Sequence, residues 1–153
     1  MKIAIVSGYF NPLHIGHLDY LQAARELADK LLVIVNSDYQ VTLKGSTPFM
    51  NQSDRLKIVK ALECVDGVYL STDKDASVLG TLKNVLVQNQ ANGRNHFMFC
   101  NGGDRSNTNT PEERLCSSNS YNLTSFYNVG GEKLQSSSDI IAKAAQKDGV
   151  GEI

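Results

Sequence analysis

A chain of 153 residues, 41% hydrophobic and 20% charged, is long enough for one domain with its own core and ordinary in composition for a globular protein. Its net charge of −1 gives no basic bias of the kind that marks nucleic-acid binders, and no apolar run approaches the roughly 20 residues of a membrane span. The N-terminus carries no signal-peptide pattern, so a cytoplasmic protein with neither a membrane nor a nucleic-acid partner is expected. Cys64, Cys100 and Cys116 are widely spaced and form no C-x-x-C pair, which favours reduced thiols over a disulfide framework or a zinc site.

Lys2 to Val6 is a short apolar run of strand type, and Leu18 to Ala28 carries helical periodicity. Between them lies Ser7-Gly8-Tyr9-Phe10-Asn11-Pro12-Leu13-His14-Ile15-Gly16-His17, a tight turn leading into a helix N-terminus. Such a junction attracts anions, because free backbone N–H groups and the positive helix end point at it. His14 and His17 share one helix face, and Gly16 leaves room for a phosphate to approach the backbone. A single histidine near a turn is ordinarily a polar surface residue. The ordered combination of strand, turn, paired histidines and amphipathic helix is what points to chemistry.

Leu31 to Val35 is a second continuous apolar strand, so the first three elements form a right-handed βαβ unit with parallel strands. Asn36-Ser37-Asp38 ends that strand at the rim where such sheets bind ligands. Asp38 is either a loop cap or a ligand there. Residues 39–50 read as a loop, in which Lys44 either reaches a triphosphate or is a solvated surface lysine. Asn51 to Leu62 reads as a helix with Asn51 as N-cap and Arg55 within it.

Gly67 to Leu70 is a third strand, Val78 to Leu86 a helix, and Phe97 to Cys100 a fourth strand ending in Asn101-Gly102-Gly103-Asp104-Arg105. Two glycines beside an aspartate at a strand's end allow close backbone approach to a ligand. His96, at the other end of that strand, reads as structural or exposed. Thr110-Pro111-Glu112-Glu113 is a helix start, with Pro at the first position and acids in the first turn. Phe126 to Val129 is a fifth strand. Ser136-Ser137-Ser138 opens a last helix to about Gln146, where hydroxyls can cap the helix or donate to a phosphate. The expected organisation is one domain over 1–147 and a short tail over 148–153. Its class is α/β, a Rossmann-like, doubly wound, mainly parallel five-stranded sheet with helices on both faces.

His14-Ile15-Gly16-His17 resembles the H-x-G-H motif of the cytidylyltransferase-like nucleotidyltransferases. The preceding Gly-Tyr-Phe-Asn-Pro-Leu is similar to that family's G-x-F-D-x-L turn, with Asn11 in place of the usual Asp. Asp54-Arg55 through Ala61-Leu62-Glu63-Cys64-Val65-Asp66-Gly67-Val68 resembles its second conserved block, and Ser136–Ser138 its I-S-T-T block. Gly131 stands where the glycerol-phosphate branch carries an arginine, with Lys133 the nearest cation. The resemblance covers nearly the whole chain.

It implies catalytic roles for His14, His17 and Lys44. It implies nucleotide contacts from Gly8, Tyr9, Phe10, Gly16, Arg55, Asp104, Ser136, Ser137 and Ser138, and acceptor contacts from Asp38, Arg55 and Arg105. The implied partners are ATP or CTP with Mg²⁺ and a phosphorylated small-molecule acceptor, in a homodimer; no metal site on the protein is expected. Val35-Asn36-Ser37-Asp38, Leu43-Lys44-Gly45 and Gly102-Gly103-Asp104 resemble the branch of adenylyltransferases acting on heptose 1-phosphate. The glycerol-3-phosphate cytidylyltransferase branch commonly has a Trp after its G-x-D motif, and this chain has no Trp. That branch and a non-catalytic nucleotide-binding module remain the alternatives.

Overall fold

The computed structural model describes residues 1–102, 110–118 and 120–130. Five strands form one sheet: β1 (Lys2–Gly8), β2 (Lys30–Val35), β3 (Gly67–Leu70), β4 (His96–Gly102) and β5 (Leu123–Val129). Their spatial order is β3-β2-β1-β4-β5, and every neighbouring pair is parallel. The helices are α1 (Ile15–Glu26), α2 (Asp38–Leu43), α3 (Gln52–Lys60), α4 (Leu79–Gln88) and α5 (Pro111–Ser117).

Side-chain alternation along the strands divides the core in two. Ile3 and Ile5 of β1, Leu32 and Ile34 of β2, and Phe97 and Phe99 of β4 pack against Val78, Leu82, Val85 and Leu86 at α4 and Cys116 of α5. Ala4, Val6, Leu31, Val33, Val35, Met98 and Cys100 pack the opposite face, against Leu21 and Ala24 of α1 and Val59 of α3. Strands buried on both faces read as unbroken apolar runs, which is why β1, β2 and β4 stand out in the sequence. The structure is the expected doubly wound fold with helices on both faces.

The chain winds outward from β1 to β3, then crosses back to place β4 on the other side of β1. The crevice for a ligand in such sheets lies at that reversal, beyond the strands' C-terminal ends. Pairing of β1 with β2 runs to Gly8–Val35, whereas pairing of β1 with β4 ends at Ile5–Phe99. The two strands that flank the reversal therefore part before either one ends.

Several boundaries differ from the sequence reading. The segment 39–50 is not wholly a loop, because α2 occupies its first part. Ser37 accepts from the Gln40 N–H, and Gln40 returns the bond to the Ser37 N–H at 3.1 Å, a capping box on a helix too short to show periodicity. The first helix starts at Ile15 rather than Leu18, since His14 is its N-cap. The fifth strand starts at Leu123, after Tyr121 and Asn122 turn the chain at positive φ. The helix expected from Ser136, the boundary at 147 and the tail lie outside the described residues. No described helix is long and apolar enough to cross a membrane.

The N-terminus of α4 is capped from two directions. The Val78 N–H donates to the buried Glu112 carboxylate at 2.8 Å, and the Gly80 and Thr81 N–H groups donate to Asp73 at 2.8 and 2.9 Å. Partial burial pushes the Asp73 pKa up, but hydrogen bonds from Thr81, Gly80 and Ser71 outweigh it and hold it below the ordinary value of 3.8. A depressed carboxylate contributes stability above its unfolded pKa, and that contribution is lost as pH falls through the folded value. Asp73→Ala is expected to lower unfolding free energy by about 1 kcal/mol at neutral pH, the usual effect of losing a cap. Urea titrations of both proteins should show the difference shrinking below pH 3.8.

Candidate active site

The turn after β1 brings two imidazoles together. The Gly16 N–H donates to His14 Nδ1 at 3.1 Å, and the His14 N–H donates to His17 Nδ1 at 3.2 Å. This is a reciprocal cap in which histidines take the places usually held by Ser and Glu. The rings stack with centroids 3.8 Å apart and planes 26° from parallel. An Nδ1 that accepts a hydrogen bond carries no hydrogen, so each neutral ring bears its proton on Nε2. The caps of α1 therefore fix both tautomers as Nε2–H donors.

Beneath them, Phe10 is 1% exposed with φ at 50° and meets His17 edge-on at 5.0 Å. A Cβ on Gly8 would lie 2.8 Å from the tip of the Phe10 ring, so glycine there makes room for the aromatic support of His17. The Phe10 side chain, in a residue expected to contact nucleotide, is buried in the core. At Gly16, where a phosphate was expected to approach the backbone, the N–H is engaged by His14.

A correction concerns Arg55. Its side chain is fully buried, and Nη1 donates to the Tyr9 and Asn36 carbonyls at 2.7 and 2.6 Å. Nε donates to the Met50 carbonyl at 3.0 Å, and Nη2 pairs with Asp38 at 2.7 Å. A guanidinium so enclosed does not reach a nucleotide or acceptor phosphate; it ties the His turn, the end of β2 and the start of α3 together. Its partner Asp38 also accepts from the Gln52 N–H at 3.2 Å, and its side chain remains 35% exposed. Asp38 is thus engaged in the framework, with one edge at the rim.

Asn11, visible in the sequence only as a departure from the family's Asp, is a clamp. Its amide nitrogen donates to the Thr47 carbonyl at 3.1 Å, and its oxygen accepts from the Phe49 and Met50 N–H groups at 2.6 and 3.1 Å. A carboxylate could accept from the two N–H groups but could not donate to Thr47. Lys44, the C-cap of α2, brings its ammonium to 4.3 Å from the centroid of the Tyr9 ring. Gln40, fully buried, donates to the Asp75 and Ser77 carbonyls at 2.9 and 2.8 Å and so anchors α2 to the loop before α4. The S-x-x-Q spacing at Ser37 and Gln40 signals its capping bond, but nothing local signals its bonds to Asp75 and Ser77.

The described part of the site therefore gathers Gly8, Tyr9, Phe10, His14, Gly16, His17, Asp38, Lys44 and Arg55. Asp104, Arg105, Ser136, Ser137 and Ser138 lie outside the described residues. Among the described residues no three His, Cys, Asp or Glu side chains are grouped so as to hold a metal ion. His96 is exposed at the start of β4, beside Lys2, away from the turn. Burial pushes the Cys100 thiol up to about 12 and the Cys116 thiol up to about 11, so neither is a nucleophile near neutral pH.

A parallel sheet of this order, with paired imidazole donors on the first helix at the reversal, defines an α/β domain of nucleotidyltransferase type. The chain belongs to the cytidylyltransferase-like family, whose sequence model matches residues 5–117. It is 42% identical over 91 residues to a protein named Bifunctional protein HldE from Citrifermentans bemidjiense, a match covering 57% of this chain and 19% of that protein. To the protein of the same name from Streptomyces coelicolor it is 34% identical over 116 residues, 74% of this chain and 22% of that one. The chain thus spans about a fifth of the length of these relatives.

Among solved structures, the lipopolysaccharide core biosynthesis protein from Thermoplasma volcanium superposes with a TM-score of 0.61 at 24% identity, covering 84% of this chain and 94% of that one. A bifunctional NMN adenylyltransferase/ADP ribose pyrophosphatase from Francisella tularensis gives 0.62 at 13% identity, over 95% and 42% of the two chains. Both likenesses are of fold.

Arg55→Met should reduce unfolding free energy by about 3–5 kcal/mol, since it leaves buried carbonyls and a carboxylate without their donor; denaturant titration measures it. Alkylation under native conditions should spare Cys100 and Cys116, and both should react once the chain is unfolded.

Proposed function

We propose that this protein transfers AMP from ATP to a sugar phosphate resembling heptose 1-phosphate, with release of pyrophosphate. The observation that carries the reading is the stacked pair His14 and His17, each held by a backbone N–H so that its Nε2–H is the donor. Similarity to the HldE proteins and the Asn36-Ser37-Asp38 and Leu43-Lys44-Gly45 segments support the adenylyl and heptose assignments.

A phosphate monoester has a second pKa near 6, so the acceptor is largely dianionic at neutral pH and needs no general base. An acceptor phosphate oxygen forms a bond to the α-phosphorus, in line with the bond to the bridging oxygen that breaks. The electron pair leaves with pyrophosphate. What the protein supplies is position and charge stabilisation. His14 and His17 would donate to the triphosphate from Nε2, and the Lys44 ammonium would neutralise charge as it builds on the leaving group. Mg²⁺ would arrive on the triphosphate as part of the substrate, held by phosphate oxygens and water. Asp104, Arg105 and Ser136–Ser138 are proposed to complete the nucleotide and acceptor contacts, and Asp38 to offer its exposed edge to the acceptor.

The test is pyrophosphate release with Mg²⁺ from ATP, CTP, GTP and UTP, each against heptose 1-phosphate and glycerol 3-phosphate. The expected result is release from ATP with heptose 1-phosphate, reduced about 10²- to 10³-fold in His17→Ala. That variant also loses a helix cap, worth about 1 kcal/mol, so its melting is followed alongside. Release only from CTP with glycerol 3-phosphate would move the assignment to the cytidylyltransferase branch. Nucleotide binding without turnover in any pairing would mark a binding module.

A further inference from the structure

We propose that Tyr9 is a positioning residue for Lys44, holding its ammonium on the ring face so that the cation is in place before a triphosphate arrives. The inference deepens the reading above and rests on the role given there to Lys44.

A lysine ammonium rides on a flexible four-carbon stem, so a fixed backbone alone does not fix the charge. Here both backbones are fixed, and they are fixed to each other. The Tyr9 carbonyl accepts from the buried Arg55 at 2.7 Å. Phe10, the next residue, is sealed in the core. On the Lys44 side, its N–H donates to the Gln40 carbonyl at 3.1 Å, and Gln40 is itself fully buried and bonded to Asp75 and Ser77. Beyond Lys44, Asn11 grips Thr47, Phe49 and Met50. The same turn that carries His14 and His17 therefore registers the segment that carries Lys44.

Within that frame the ammonium stands 4.3 Å from the Tyr9 centroid, inside the range of about 6 Å over which a ring quadrupole attracts a cation. Such an attraction is weak enough for a polyphosphate to draw the ammonium away, yet it confines the cation to the ring face of a residue five positions before His14. A tyrosine here serves through its ring face, so phenylalanine should replace it and an aliphatic residue should not.

The experiment combines a spectroscopic signature with a double-mutant cycle. In the free protein, the Lys44 ε-methylene protons, assigned by their disappearance in Lys44→Ala, should resonate upfield of other lysines from the ring current. The shift should vanish in Tyr9→Leu and persist in Tyr9→Phe. Tyr9→Leu should lower kcat/KM about 2- to 30-fold, the fold-change that corresponds to one cation–π contact, and Tyr9→Phe should restore most of it. In the Lys44→Ala background, Tyr9→Leu should have no further effect.

An unshifted Lys44 signal would overturn the proposal. So would full additivity of the two substitutions, which would mean that Tyr9 meets the nucleotide on its own account. If no nucleotide pairing turns over, nucleotidyl transfer fails as a reading, and the same cycle is then run on Mg²⁺-tripolyphosphate binding by calorimetry. Non-additivity there would still support Tyr9 acting through Lys44, and additivity would overturn it.

Discussion

The buried guanidinium of Arg55 is the constraint on which the described site depends. A parallel sheet delivers strand ends to one rim, but it does not fix how the loops beyond those ends lie against one another. Arg55 does so by donating to carbonyls from three crossings of the chain, at Tyr9, Asn36 and Met50, while its charge is balanced by Asp38. Burying a lone cation is very unfavourable; burying one whose donors meet carbonyls and a carboxylate is tolerable and geometrically specific. The planar fork suits this task, and a lysine could not span the same partners.

On that frame the histidine turn caps a helix and sets two imidazole tautomers with one set of hydrogen bonds. The N–H groups at the start of α1 need acceptors, and ordinary sequences supply a serine and a glutamate. Here His14 and His17 accept at Nδ1, and the tautomer follows from the cap: satisfying the helix leaves each neutral ring its hydrogen at Nε2. Stacking of the two rings and the edge of Phe10 hold the imidazoles against each other, and Gly8 is small so that Phe10 can lie there.

What the sequence made legible divides along the same physical lines. The strands buried on both faces, the capped start of α3 at Asn51 and the proline-led start of α5 all carry strong local signals, and they appear where periodicity and capping place them. The βαβ unit made the parallel pairing of β1 and β2 legible, whereas the placement of β4 beside β1 comes from the fold. The helix α2 was hidden because six residues hold less than two turns of pattern, though its capping box was present. Arg55 was recognised as important but given the wrong surroundings. Spacing along a helix shows which residues share a face; it cannot show that a guanidinium will find acceptors in segments as far away as Tyr9 and Asn36. The Asn11 clamp and the Tyr9–Lys44 contact join residues more than thirty positions apart, and no local pattern encodes them.

The two cations of this region illustrate how burial sorts similar charges into different work. Arg55 is fully enclosed, its donors are directed at fixed oxygens, and moving it would strand every one of them. Lys44 is exposed, and its ammonium lies on the face of the Tyr9 ring, a soft contact beside the buried bonds of Arg55. A charge that holds loops in register has to be locked, whereas a lysine on an exposed ring face stays near water. Sequence alone presents both as a basic residue near a predicted phosphate site. The folded chain separates them, because only one of the two lies where three loops cross.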